Sequence, residues 1–274
     1  MRPHVLIALA LLTGPAAAGA STWQQVTPDA RIRLISSDQR GSDGAALIGL
    51  EIDMPARTTT YWRVPGETGI PITLDFSAST GLAGHAVAWP YPERDENAGY
   101  LDYVYRGPLV LPIRATIDGE RAMLRADLMM GICDEICVPV SAALSLDLDL
   151  SRPDPGQSLR LAQALAEAPI AWDQPTPAIA AVHFDTALNG LSVTGLVADI
   201  DPSSLIADMG PSGPVFGAPQ KSPDGRSVLL PLLGAVPDDM SLDGKPVQLT
   251  FRTPMGPYEM SAHVAPPVST PGNS

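Results

Sequence analysis

Apolar residues recur at every second position through much of this chain, and that period limits what it can fold into. Ile48, Leu50 and Ile52 alternate with Gly49, Glu51 and Asp53. Ala122, Leu124, Ala126 and Leu128 alternate with Arg121, Met123, Arg125 and Asp127, and Leu144, Leu146, Leu148 and Leu150 with Ser145, Asp147 and Asp149. Successive side chains of a strand point to opposite faces, so each segment buries one face of a sheet and wets the other. That is the pattern of an antiparallel β-sandwich. Residues 109–117 form a further predicted strand, in which Pro112 implies an edge position or a bulge. The 29 Pro and 24 Gly residues are too many breakers for a helical protein and suit short strands joined by turns. The expected fold class is all-β.

The pattern changes once. After residues 151–157 (SRPDPGQ), apolar residues at 159, 161, 162, 165 and 166 keep helical spacing. This predicts a short linker helix capped by Ser158 and ending before Pro169. Strand patterns resume at 179–184, 191–198, 227–233, 247–251 and 258–264, with turn signals at Asn189-Gly190, Asp224-Gly225 and Asp243-Gly244. The expected organisation is a first β-sandwich over 21–150, a linker over 151–170, a second and smaller β-sandwich-like domain over 171–265, and a disordered tail at 266–274.

The amino terminus reads as an export leader over residues 1–20. Arg2 precedes an apolar run over 5–12, and Pro15 with small residues follows, giving an A-x-A-like cleavage site after Ala20. The run falls far short of the ~20 residues a membrane-spanning helix needs. A soluble periplasmic chain is expected. Without Arg2 it carries 16 basic against 30 acidic residues, a surface that repels nucleic acid and favours solubility or a basic partner. No glycine-rich phosphate loop, HExxH or GxSxG is present, and His4, His85, His183 and His263 are scattered. No cofactor is implied.

Chemistry concentrates at Cys133 and Cys137, the only cysteines, in the stretch GICDEICVPV. Two cysteines in an exported chain point to one disulfide. They fall between the strands predicted at 121–130 and 140–150, in a loop over 131–139. A staple would be a poor use of so short a loop: in the chain-entropy model about five residues yield roughly 2 kcal/mol, a hundred about 4.7. Short-loop pairs suit redox work, because the bond can re-form without rearranging the fold. Asp134 and Glu135 lie between the sulfurs and disfavour a thiolate, and no basic residue lies within the loop. A dithiol not held as thiolate favours its oxidised form, which predicts an electron donor. A structural staple and a soft-metal site for Cu(I), drawing on Met123, Met129 and Met130, are the alternatives.

The stretches TYWRVPGETGIP (60–71), AWPYPER (88–94), LVLPI (109–113) and GICDEICVP (131–139) occur in an order and spacing that resembles the amino-terminal domain of the periplasmic protein-disulfide reductase DsbD family, especially its ScsB-like branch. The likeness covers about residues 25–150, and VFGAP (215–219) is similar to the second periplasmic domain of that branch. The resemblance implies an immunoglobulin-like sandwich whose pair, Cys133 and Cys137, takes electrons from a membrane-embedded reductase and passes them to periplasmic thioredoxin-like partners. It leans toward Cys137 as the attacking residue. It implies a cap loop over the disulfide, matched to 96–101 with Glu96, Asn97 and Tyr100 as candidates. It also places Tyr61 and Trp62 as residues that line or position the site. Family members usually continue into a multi-helix membrane domain and a thioredoxin-like domain, neither of which occurs in this sequence, so a separate chain is the expected electron source.

Overall fold

The alternating segments hydrogen-bond into antiparallel sheets in a computed structural model, which describes residues 19–96, 99–222, 227–234 and 241–266. Residues 1–18, Asn97, the Asp224-Gly225 turn and residues 267–274 lie outside the described residues. The first half contains β1 (Gln24–Thr27), β2 (Ala30–Arg40), β3 (Ala46–Asp53), β4 (Thr59–Gly66), β5 (Thr73–Asp75), β6 (Leu82–Val87), β7 (Glu93–Asp95), β8 (Asp102–Arg106), β9 (Leu109–Ile117), β10 (Arg121–Cys133) and β11 (Cys137–Asp149). One sheet runs β1-β2-β3-β9-β6 and the other β11-β10-β4-β8-β7, with β5 also on β10. Their inner faces meet in one core, where Ile32, Leu34, Ile48, Leu50 and Leu111 oppose Leu124, Leu128, Leu144 and Leu146. Each such side chain contributes about 1.5–3 kcal/mol by leaving water. The period-two reading holds: this is an antiparallel β-sandwich.

Two local expectations are corrected. β9 is an interior strand, flanked by β3 and β6. Pro112 is tolerated because its carbonyl, accepting from the Ala88 N–H at 2.9 Å, faces the side where β6 has already ended. Its missing N–H faces the same way. The helix α1 (Pro155–Ala166) starts before Ser158 and is capped by Asp154, whose carboxylate accepts from the Gly156 and Gln157 N–H groups. An Asp cap followed by Pro in the first turn is a stronger start than a serine. Nor is α1 a free linker. Leu161 is fully buried with Ile35 and Ala20, and it leaves Gly49 no room for a side chain, since a Cβ there would stand 2.7 Å from Leu161 Cδ2. Glu51, assigned to the wet face by its alternation, is buried between Arg33 and Arg160.

The second half builds its own sheet from β12 (Ile170–Ala171), β13 (Ala181–Asp185), β14 (Gly190–Thr194), β15 (Asp201–Asp208), β16 (Val215–Phe216), β17 (Gln220–Lys221), β18 (Ser227–Leu233), β19 (Pro246–Thr253) and β20 (Gly256–Ala265). Its main path is β15-β19-β20-β13-β14-β18-β16, antiparallel except where β12 and β13 each run parallel to β20. Val182, Leu191, Leu205, Leu230, Leu249 and Phe251 form a separate core. The two halves meet through β4, β7 and β8. Ile206 joins Trp62, Val64, Leu101, Tyr103 and Tyr105 in one cluster. Arg63 donates to Asp208 at 2.7 Å, and Arg94 donates to the Ser203 and Leu205 carbonyls.

Candidate redox site

The site is the tip of the β10–β11 hairpin. The ladder is unbroken from Arg121↔Asp149 to Cys133↔Cys137, so the cysteines are directly opposed cross-strand neighbours. The loop is therefore only Asp134, Glu135 and Ile136, shorter than the predicted 131–139. The cysteines are disulfide-bonded, with Cα atoms 4.0 Å apart. β11 is the edge strand of its sheet, and this lets Pro139 sit in the ladder opposite Gly131 without losing a bond it would need. The two sulfurs differ in access. Cys133 is 5% exposed, whereas Cys137 lies on the surface. Next to Cys137 in the chain, Ile136 at the loop tip is 76% exposed.

Strand β4 backs the pair. Thr59 is Cys133's partner across the strands, and the Thr60 hydroxyl donates to the Gly131 carbonyl at 2.8 Å. The Tyr61 hydroxyl stands 3.0 Å from Cys133 Sγ and 3.3 Å from Cys137 Sγ. Burial, reinforced by the charges of Asp102 and Asp95, pushes the Tyr61 pKa above the ordinary phenol value. The phenol therefore stays protonated and can donate to sulfur. The ring is held by the loop after β4. A Cβ at Gly69 would stand 2.2 Å from Tyr61 Cδ1, and one at Gly131 3.1 Å from Cε2. Glycine at both places lets the ring lie flat between them.

Sequence reading had set Tyr61 and Trp62 together. They part company here: Tyr61 reaches the sulfurs, while Trp62 is fully buried in the cluster with Ile206. Arg57 was missed. It comes from the turn before β4 and pairs with Asp134 at 2.5 Å, so the acidic spacer is partly neutralised by a residue 77 positions away in sequence. Nothing in the loop sequence signals it. Of the cap candidates, Glu96 is exposed and Tyr100 is 53% exposed; Asn97 is outside the described residues. The segment is tethered at its end, where the Leu101 N–H donates to Glu67 at 2.8 Å. The methionines do not converge. Met130 is buried in the sandwich core, Met129 faces the opposite side, and Met123 sits six residues down the strand.

Residues 27–149 match the family model described as thiol:disulfide interchange protein DsbD, N-terminal. That stretch is a DsbD amino-terminal domain. The likeness in fold extends beyond it. The crystal structure of the N-terminal periplasmic domain of ScsB from Proteus mirabilis superposes with a TM-score of 0.69, at 23% identity, over 91% of this chain and 99% of that one. Both halves of the chain thus share the fold of that structure. No match was found among curated proteins. Within the DsbD-type domain, a disulfide at the hairpin tip fits thiol:disulfide interchange. Among the described residues no helix is long and apolar enough to cross a membrane.

Proposed function

We propose that the chain is a periplasmic thiol:disulfide interchange module. It relays electrons through Cys133 and Cys137 from a membrane-embedded thiol reductase to periplasmic thioredoxin-like proteins. The unequal access of the two sulfurs carries this reading: Cys137 meets solvent and Cys133 lies behind it. In the reducing direction the Cys137 thiolate attacks a partner disulfide, forming a mixed disulfide and expelling the partner's other sulfur as a thiolate. The Cys133 thiolate then attacks Cys137 Sγ, restoring the internal bond and releasing the partner's second thiol. Two electrons and two protons pass to the partner. The Tyr61 hydroxyl, within reach of both sulfurs, donates to whichever carries charge. Ile136, exposed at the loop tip beside Cys137, supplies an apolar contact for docking. The proposed cap carries Glu96 and Tyr100, a role supported by the likeness of residues 27–149 to the DsbD amino-terminal family; Asn97, the third candidate, lies outside the described residues.

The test is trapping in a periplasm. A Cys133→Ala variant should accumulate a reductant-sensitive adduct with a thioredoxin-like protein through Cys137. The Cys137→Ala variant should accumulate far less. A wild-type pair that stays fully oxidised in cells, with neither variant forming an adduct, would mean the disulfide is only a staple.

A further inference from the structure

On the first domain, away from the disulfide, one carboxylate is buried without a full set of partners. Asp38 is 3% exposed, and its Oδ1 has no hydrogen-bond partner. Burial pushes its pKa up, against hydrogen bonds from the Ser36 hydroxyl and the Asp149 backbone, and the charges of Asp154 and Asp149 push the same way as burial. A buried carboxylate in such a setting calls for a cation. Asp38 lines an open cleft of about 460 Å3 together with Gly19, Ala20, Asp147, Asp149 and Arg152. Arg152 is exposed and makes no bond to Asp38.

Gly19, which lines the same cleft as Asp38, also borders Asp154. Gly19 and Ala20 are built into the fold: the Ser36 N–H donates to the Gly19 carbonyl at 2.7 Å, and Ala20 bridges Ile35 and packs with Leu161. A Cβ on Gly19 would stand 3.1 Å from Asp154 Oδ2, and the Gly19 nitrogen is two bonds from that position. Asp154 uses its other oxygen, Oδ1, to cap α1, so Oδ2 remains to take a charge.

We propose that the leader is cut between Ala18 and Gly19, and that the new Gly19 α-ammonium seats in this cleft as the counter-charge of Asp38 and Asp154. Hydrolysis leaves Ala18 as a carboxylate and Gly19 with the ammonium. Ala16 and Ala18 meet the small-residue requirement of the leader cut as well as Ala18 and Ala20 do. A cut after Ala20 would discard two residues that the sandwich holds and would leave Asp38 without its partner. Processing thereby completes the fold, because only the cut chain carries the charge.

The full chain with its own leader, expressed in a bacterium with a periplasm, should yield an intact mass that begins at Gly19. A mature mass beginning at Ser21 overturns the proposal. The seat is tested separately on the Gly19-start chain. Acetylating its α-amine should lower Tm by about 5 °C, and the same acetylation should have a clearly smaller effect in Asp38→Asn, where only Asp154 remains as its partner. At pH 7.5 an amine-reactive ester should label the wild-type α-amine about sevenfold more slowly than that of Asp38→Asn, as a one-unit rise in its pKa gives at that pH. An acetylated wild type with unchanged Tm, or equal labelling rates, would show that the terminus lies free.

Discussion

Replacing Tyr61 with phenylalanine removes one oxygen from the site and little else, because the ring keeps its place against Gly69 and Gly131. That oxygen stands 3.0 and 3.3 Å from the two sulfurs. In the reduced protein it donates to a thiolate, and a hydrogen bond to a charged acceptor is worth roughly 1.5 kcal/mol at the low end. Since 1.36 kcal/mol corresponds to one pKa unit, Tyr61→Phe should raise the reactive thiol by about one unit. At pH 7 the thiolate fraction then falls about tenfold. Each remaining thiolate is more basic and about threefold more nucleophilic, for a Brønsted coefficient of about 0.4–0.5. The net expectation is alkylation by iodoacetamide about threefold slower at pH 7 and about threefold faster at pH 10, so the two pH–rate profiles cross. Tyr61 stays neutral across most of this range because its own pKa is pushed up. Mass spectrometry assigns the first alkylation, expected at Cys137. Tyr105→Phe is the control, since that hydroxyl donates to the Pro90 carbonyl instead. Parallel profiles for wild type and Tyr61→Phe would refute the role of the phenol.

Gly69→Ala should cost about 1–3 kcal/mol in urea unfolding, since its Cβ overlaps the Tyr61 ring, and should shift the alkylation profile in the same direction as Tyr61→Phe. Arg63→Gln should destabilise by about 2 kcal/mol, because the Asp208 side chain it leaves is only 8% exposed. Amide exchange should rise first along β15, and unchanged exchange there would mean that the pair does not hold the halves together. Burial would raise the Glu51 pKa, but hydrogen bonds from Arg160 and Arg33 outweigh it and hold the carboxyl below its usual value. Its stabilising effect is then present above the unfolded carboxyl pKa and fades as pH falls through the folded one. α1 should loosen as acid approaches that lower value, seen as faster amide exchange in the helix, and Glu51→Gln should flatten the dependence.

What could be read from the sequence depended on whether neighbours in the chain are neighbours in space. The strand at Ser227–Leu233 was bounded to the residue, because alternation is local. β15 was missed, since it opens on Asp201, Pro202, Ser203 and Ser204, which read as a turn. The helix start was misplaced although Asp154 and Pro155 carried the better signal. The wet face expected around Glu51 was wrong because a period reports two faces but not what covers the second. At the site, the cysteines were legible from count and spacing alone. Tyr61 was legible only as a family motif residue. Its link to sulfur is made by strand pairing across 72 positions, and the Arg57–Asp134 pair likewise depends on the fold.

The opposed placement of Cys133 and Cys137 in a continuous ladder has a consequence for how a partner can tell one redox state from the other. The backbone that presents the sulfurs is fixed by the hydrogen bonds of two thirteen-residue strands, and making or breaking the sulfur–sulfur bond asks no change of it. A docking protein therefore meets nearly the same contour before and after exchange. Affinity can contribute little to directing the traffic. The direction of flow should follow the difference in potential between the two proteins, and departure should follow the loss of the covalent link. A carrier of the kind proposed would be reversible by construction, with its sense of travel set by whatever keeps its donor reduced.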